Sequence, residues 1–182
     1  MTANATLNRF FDLLRQRQPE VAEELIQAEV DVNVYGQSSG SPLHDVIWLI
    51  DDDTRRLSAV RLLLERGANP NKGSLDDEYE PMAAALLRSD TEIMRLLLAH
   101  GADPNTKQED FELFYDWAEF EYRFDTYDLR LPEEPTPADK VSEDAWLKFL
   151  DRVAVKYAAR RPDYLHLLRQ YGAKSGAELQ QG

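Results

Sequence analysis

A chain of 182 residues in which 34 Asp and Glu face 21 Lys and Arg carries a formal charge of −13, and its 43% hydrophobic content is that of a folded domain, not of a disordered acidic tail. Such a surface repels nucleic acid and anionic membranes and attracts basic proteins, so direct DNA or RNA binding is not expected. The absence of cysteine excludes disulfides and thiolate zinc sites, "MTANATLNRFFDLLRQRQPE" lacks the features of a secretory leader, and no apolar run approaches the ~18–20 residues of a membrane span, so a soluble cytoplasmic protein is expected.

The first predicted element is a helix in "LNRFFDLLRQ", followed by a second in "VAEELIQAEVDVN" (21–33). Next comes "SPLHDVIWL" (41–49), a short apolar segment opened by a proline, which suits the first helical turn because its missing N–H has no intrahelical partner there. The helix of "SAVRLLLERG" follows and ends at Gly67, and "LLLERGANPN" (62–71) then returns as "LLLAHGADPN" (96–105), with Gly67 and Gly101, and likewise Asn71 and Asn105, 34 residues apart. Ahead of the second copy stands another proline-opened segment, "EPMAAALL" (80–87), and the spacing predicts helices over 81–88 and 91–100. Val60, Leu63 and Leu64, or Ile93, Leu96 and Leu97, recur at the spacing of a buried helical face. The glycine supplies a left-handed residue past the helix and the later proline prevents continuation. From proline to glycine the first copy takes 25 residues (42 to 67) and the second 20 (81 to 101), and the five extra, within "LIDDDTRR", are expected to lengthen the first helix or bulge the turn.

Positions 109–134, "EDFELFYDWAEFEYRFDTYDLRLPEE", hold eight of the eighteen aromatics and ten acids. Leu113, Trp117, Phe120 and Phe124 can share one helical face, with Phe114 and Tyr115 beside it, which would leave Tyr122 and Tyr127 among carboxylates on the outside. Residues 145–174 carry seven basic residues and two acids, so they are candidates to neutralise the acidic stretch. "YLHLLRQYGAKSG" (164–176) closes the series with a helix and a third glycine-alanine stop.

The unit of turn, proline-started helix, tight turn, second helix and glycine stop resembles the ankyrin repeat, through "SPLH", "LLLERGANPN" and the gap-free segment from Glu80 to Asn105. The resemblance implies an all-α solenoid of about four to five helix pairs, antiparallel within each pair, with finger loops and an acidic aromatic insertion. The expected organisation is a single domain, with an amino-terminal cap or repeat at 1–34, repeats at 35–71 and 72–105, the insertion or a degenerate repeat at 106–140, and a terminal cap repeat at 141–182. From Gly101 to Gly172 there are 71 residues, which fits either a degenerate repeat plus an insertion or one repeat with a long elaboration.

The three histidines, His44, His100 and His166, do not converge in such an array, and His44 falls where the family uses histidine to bond its own turn. Neither acidic run alternates its ligands around a glycine as a calcium loop does, and no phosphate loop, nucleophile elbow or metalloprotease helix occurs. No metal, cofactor or catalytic residue is therefore expected. Asp51, Asp52 and Asp53 read as a solvated loop, whereas the resemblance places Asp76, Asp77, Glu78 and Tyr79 at a finger tip. In the family's first-helix pattern Val46 and Ile47 are buried while Asp45 and Trp48 are variable, which makes Trp48 a candidate anchor. Together with Glu119, Glu121, Tyr122 and Tyr127 these form the expected partner-binding set. The function so implied is binding of a basic protein, as adaptor or regulator, by a chain expected to be monomeric when free. Small acidic ankyrin proteins also resemble immunity proteins that bacteria encode beside secreted toxins, the alternative reading.

Overall fold

The computed structural model describes residues 3–18, 31–35, 40–73, 80–107 and 110–180, and among these the regular structure is helical. The chain divides into two compact units, Met1–Ala102 and Asp103–Gly182. Most of the front segment "VAEELIQAEVDVN" lies outside the described residues.

In the first unit α1 (Ala3–Arg15) buries Leu7, Phe10 and Phe11. Pro42 opens α2 (Pro42–Leu49), which Ser41 caps by accepting from the His44 N–H at 3.2 Å. The second helix, α3 (Asp53–Glu65), starts from Asp52, whose carboxylate accepts the Arg55 N–H at 2.9 Å. The pattern then repeats: Pro81 opens α4 (Pro81–Leu87), and Asp90 caps α5 (Thr91–Ala99) by accepting the Ile93 N–H at 3.1 Å. Gly67 and Gly101 stop α3 and α5 at φ +84° and +92°, and the next N–H, of Ala68 or Ala102, turns back to Leu63 or Leu97 O at 2.9 and 3.0 Å. Helix α2 packs on α3 and α4, and α5 on α3 and α4. The expected helices at 81–88 and 91–100 are thus present, each one residue shorter at its end.

Two details differ from the expectation. The five extra residues leave the turn unchanged, with three residues at 50–52 as at 88–90; α2 gains one over α4 (8 against 7) and α3 gains four over α5 (13 against 9). The buried face of α5 is Ile93, Met94, Leu97 and Leu98, with Leu96 half-buried, because two neighbouring helices cover a wider stripe than the narrow spacing implied.

The second unit contains α6 (Phe114–Tyr127), a short 3-10 helix at Pro137–Lys140, α7 (Glu143–Lys156), α8 (Asp163–Gln170) and α9 (Gly176–Leu179). Helix α6 packs on α8, and the 3-10 helix on α7. Helix α8 ends at Gly172 with φ +84°, and Ala173 N–H returns to Leu168 O at 3.0 Å, as in the earlier stops. The aromatic stretch therefore supplies the first helix of a pair whose second helix is α8, and residues 128–162 are the elaboration between them.

Asparagines stitch the loops within each unit. Asn33 donates its amide to Gly67 O at 3.0 Å and accepts from Asn69 N–H at 2.6 Å, and Asn71 donates to Gly101 O at 3.0 Å. In the second unit Asn105 donates to Gly172 O at 3.2 Å and accepts from Lys174 N–H at 2.8 Å. The repeated "N" of the motif is thus a bridge between one loop and the helix stop that follows it.

Candidate functional site

Among the described residues of the first unit the large exposed apolar side chains lie at the ends of the first helices. Trp48 is 48% exposed and Leu87 is 41% exposed, and each stands six residues after its helix-opening proline, so on the packed neighbours α2 and α4 they hold equivalent places. Leu49 adds a further exposed apolar side chain. Val46 and Ile47 are buried as expected, but Asp45 is buried too, against its expected variable position, with its carboxylate 3.6 Å from His44 Nδ1. A side chain on Gly40 would collide with that carboxylate, so the glycine makes the space Asp45 occupies.

The run Asp51–Asp53 is exposed to solvent, as expected, and its carboxylates also serve the fold. Asp52 caps α3, Asp51 pairs with Arg88 at 3.0 Å, and Asp53 pairs with the buried Arg56. Arg56 also donates to Ile50 O at 2.7 Å and to Asp90 at 3.2 Å. Asp76, Asp77, Glu78 and Tyr79 lie outside the described residues.

The aromatic helix α6 is rotated relative to the expected stripe. Phe114, Tyr115, Trp117, Ala118 and Tyr122 are buried, whereas Phe120 is half-buried and Phe124 is 50% exposed. Tyr122 is thus an internal residue and not an outer one: its hydroxyl donates to Arg160 O at 2.7 Å, and its ring meets Tyr164 and Tyr127 edge-on at 6.3 and 6.0 Å. Burial raises the Tyr122 and Tyr164 phenols above their ordinary pKa. The cause of the rotation is α8, whose Tyr164 hydroxyl reaches Ala118 O at 3.3 Å. Tyr127 is half-buried. Glu119 accepts from Trp146 Nε1 at 2.8 Å and from Arg123 at 3.1 Å, and Glu121 accepts from Trp117 Nε1 at 2.9 Å. Glu119 and Glu121, two of the carboxylates expected to contact a partner, are therefore engaged inside the unit.

Neutralisation by the basic segment is observed. Lys156 pairs with Glu133, Arg160 with Asp125 at 3.6 Å, and Arg152 with Glu133 at 4.0 Å. The histidines stand apart in their roles: His100 Nδ1 lies 2.9 Å from Leu96 O, and His166 Nε2 lies 3.9 Å from Asp151. Among the described residues no three His, Asp or Glu side chains gather as metal ligands.

One concavity was not foreseen. A cavity of about 470 Å³ in the second unit is lined by Lys140, Val141, Ser142, Glu143, Trp146, Ala177 and Glu178. Its residues come from the end of the 3-10 helix and the start of α7 on one side and from α9 on the other, segments joined only by the fold. The sequence offered one local signal, a tryptophan three residues after a glutamate at a serine-capped helix start.

The Ankyrin repeat family model matches residues 82–108, the segment of α4, α5 and the glycine stop. The Escherichia coli (strain K12) protein YahD, whose name describes it as an ankyrin repeat protein, is 38% identical over 84 residues, which are 45% of this chain and 40% of that relative. The chain thus matches less than half of that relative's length. No helix among the described residues is long and apolar enough to cross a membrane.

Proposed function

We propose that the chain, which resembles ankyrin repeat proteins through residues 82–108, is a non-catalytic module that binds a basic protein partner in the cytoplasm, as adaptor or regulator, and is monomeric when free. Ankyrin repeats generally serve protein–protein interaction, and the fold leaves the choice of partner to surface residues. The observation that carries the reading is the exposed strip of Trp48, Leu49 and Leu87 on the ends of α2 and α4. A large aromatic ring exposed beside further apolar side chains is the ingredient that a desolvated interface anchor requires.

The charge of −13 supplies the second ingredient. Long-range attraction raises the encounter rate with a basic surface, while buried anchors set the lifetime. Because Glu119, Glu121 and Tyr122 are occupied or buried within the second unit, the weight of the reading moves to Trp48 and to the acids Asp76, Asp77 and Glu78 with Tyr79. The test starts from a partner captured on the full chain and purified. Trp48→Ala should mainly raise the dissociation rate, whereas Asp76→Asn with Asp77→Asn should lower the association rate and flatten its salt dependence. Binding that is insensitive to salt between low and physiological ionic strength and to Trp48→Ala would remove this reading.

A further inference from the structure

The cavity between the start of α7 and α9 has two walls of different chemistry. One is the Trp146 indole, held in place by the hydrogen bond to Glu119 at 2.8 Å and by stacking on Phe149, whose ring lies 5.2 Å away at 24°. The other is carboxylate. Glu178 is locked by Arg169, which donates to its two oxygens at 2.6 and 2.9 Å, and by the Ser175 N–H at 2.9 Å. Glu143 is half-buried beside the Ser175 hydroxyl, and among the described residues no basic side chain lies within ion-pair distance of it.

Burial raises the Glu143 carboxyl above its ordinary pKa; the Ser175 hydroxyl and, more weakly, Arg169 oppose the shift, while the neighbouring Glu178 and Glu119 add to it. The Tyr115 hydroxyl is buried with no hydrogen-bond partner among the described residues, with Glu143, Arg169, Glu119 and Glu178 as its charged neighbours. Of the residues lining the cavity two are carboxylates, Glu143 and Glu178, and one is a cation, Lys140, while Arg169 behind them pairs with Glu178 and with Asp144. The amino-terminal turn of a helix draws anions, but Ser142 already caps α7 by accepting from Ala145 N–H at 3.2 Å, and Glu143 and Asp144 already supply negative charge there. A flat aromatic wall beside an uncompensated carboxylate suits a planar cation, which stacks on the ring and donates to the oxygens.

We propose that this cavity is a receptor for one arginine side chain, stacked on Trp146 and hydrogen-bonded to Glu143, and that the arginine is presented by the basic partner. The last clause rests on the function proposed above; the cavity's affinity for a guanidinium does not. Its size is that of a small-ligand pocket, and its walls are fixed in advance by the Glu119, Phe149 and Arg169 contacts, so little ordering accompanies binding.

The test uses the full-length protein labelled with nitrogen-15 and follows the Trp146 indole resonance, identified by its loss in Trp146→Phe. Titration with N-acetyl-arginine methylamide should move this resonance to saturation, while the uncharged isostere N-acetyl-citrulline methylamide should not. Glu143→Gln should weaken the arginine response by about tenfold or more, since a charge-assisted hydrogen bond is lost. Glu65→Gln, which removes an exposed acid of α3, should leave the response intact. Ala177→Leu, which fills the cavity from an exposed position without changing charge, should block it, and decides the matter if Glu143→Gln does not fold. Equal response to citrulline, absence of saturation, or an unchanged response in Ala177→Leu overturns the proposal. If the arginine analogue binds but no basic protein does, the proposed function fails and the cavity stands. If a basic protein binds equally well to Ala177→Leu, the partner does not use the cavity.

Discussion

Arg56 carries a guanidinium into the interior of the first unit with 4% of its surface exposed, and its value depends on which partner is removed. Asp90 holds it at 3.2 Å from a side chain that is itself 16% exposed, whereas Asp53 holds it from one that is 87% exposed. Water replaces the second partner readily and the first poorly. Asp90→Ala is therefore expected to cost about 3 kcal/mol or more through the stranded buried charge and the lost cap of α5. Asp53→Ala should cost less than about 1 kcal/mol. Urea unfolding of the two variants checks the pair, and equal costs would mean that the Ile50 carbonyl, which accepts from Arg56 at 2.7 Å, satisfies the guanidinium without Asp90. The sequence placed Asp53 in a solvated run and gave no sign of Arg56, because a basic residue on a leucine-rich helix looks like its wet face until the neighbouring helix covers it.

At the scale of elements, the repeat frame was legible because two physical markers recur at fixed spacing, a proline that can only begin a helix and a glycine that ends one in the left-handed region. Leu63, Leu97 and Leu168, each four residues before its glycine, are all fully buried, as the frame requires. Leu97→Ala should accordingly cost roughly 2–5 kcal/mol in the same unfolding measurement, and a change below about 0.5 kcal/mol would break the register. The stop itself can be weighed at Gly172, where an added Cβ would meet nothing within 4 Å, so any cost is one of φ alone. Gly172→Ala should cost about 1–2 kcal/mol and Gly172→Asn distinctly less, since asparagine tolerates the left-handed region. What was not legible is the partition of α6. Periodicity favours Leu113, Trp117, Phe120 and Phe124 as one face, and only the position of Tyr164 on α8, with its bond to Ala118 O, turns Phe114, Ala118 and Tyr122 inward instead. The cavity at Glu143 was hidden for the same reason, as its walls meet through folding and not through spacing.

For the molecule as a whole, the acidic balance makes pH the most informative variable, and its carboxylates pull in opposite directions. Glu178 sits below its ordinary pKa, chiefly because Arg169 donates to it, and Asp139 does so chiefly through Thr136, Asp52 through the Arg55 N–H. A carboxyl with a folded pKa below its unfolded one contributes stability that is present above the unfolded value and lost as pH falls through the folded one. Glu143, raised by burial, has the other sign: the folded chain keeps its proton to higher pH than the unfolded chain, so stability declines as pH rises through the ordinary glutamate range. Substituting each by its neutral isostere separates the two. Glu178→Gln should be less stable than the parent at pH 7 and converge with it in acid, where Glu178 is protonated in the parent as well. Glu143→Gln should be more stable than the parent at pH 7, having no buried charge to hold, and should also converge with it in acid. Thermal unfolding between about pH 3 and pH 7 reads both curves. A Glu143→Gln protein that is less stable than the parent at pH 7 would show that the carboxylate is already satisfied inside the second unit, and would leave the cavity without the unmatched charge on which its affinity for arginine depends.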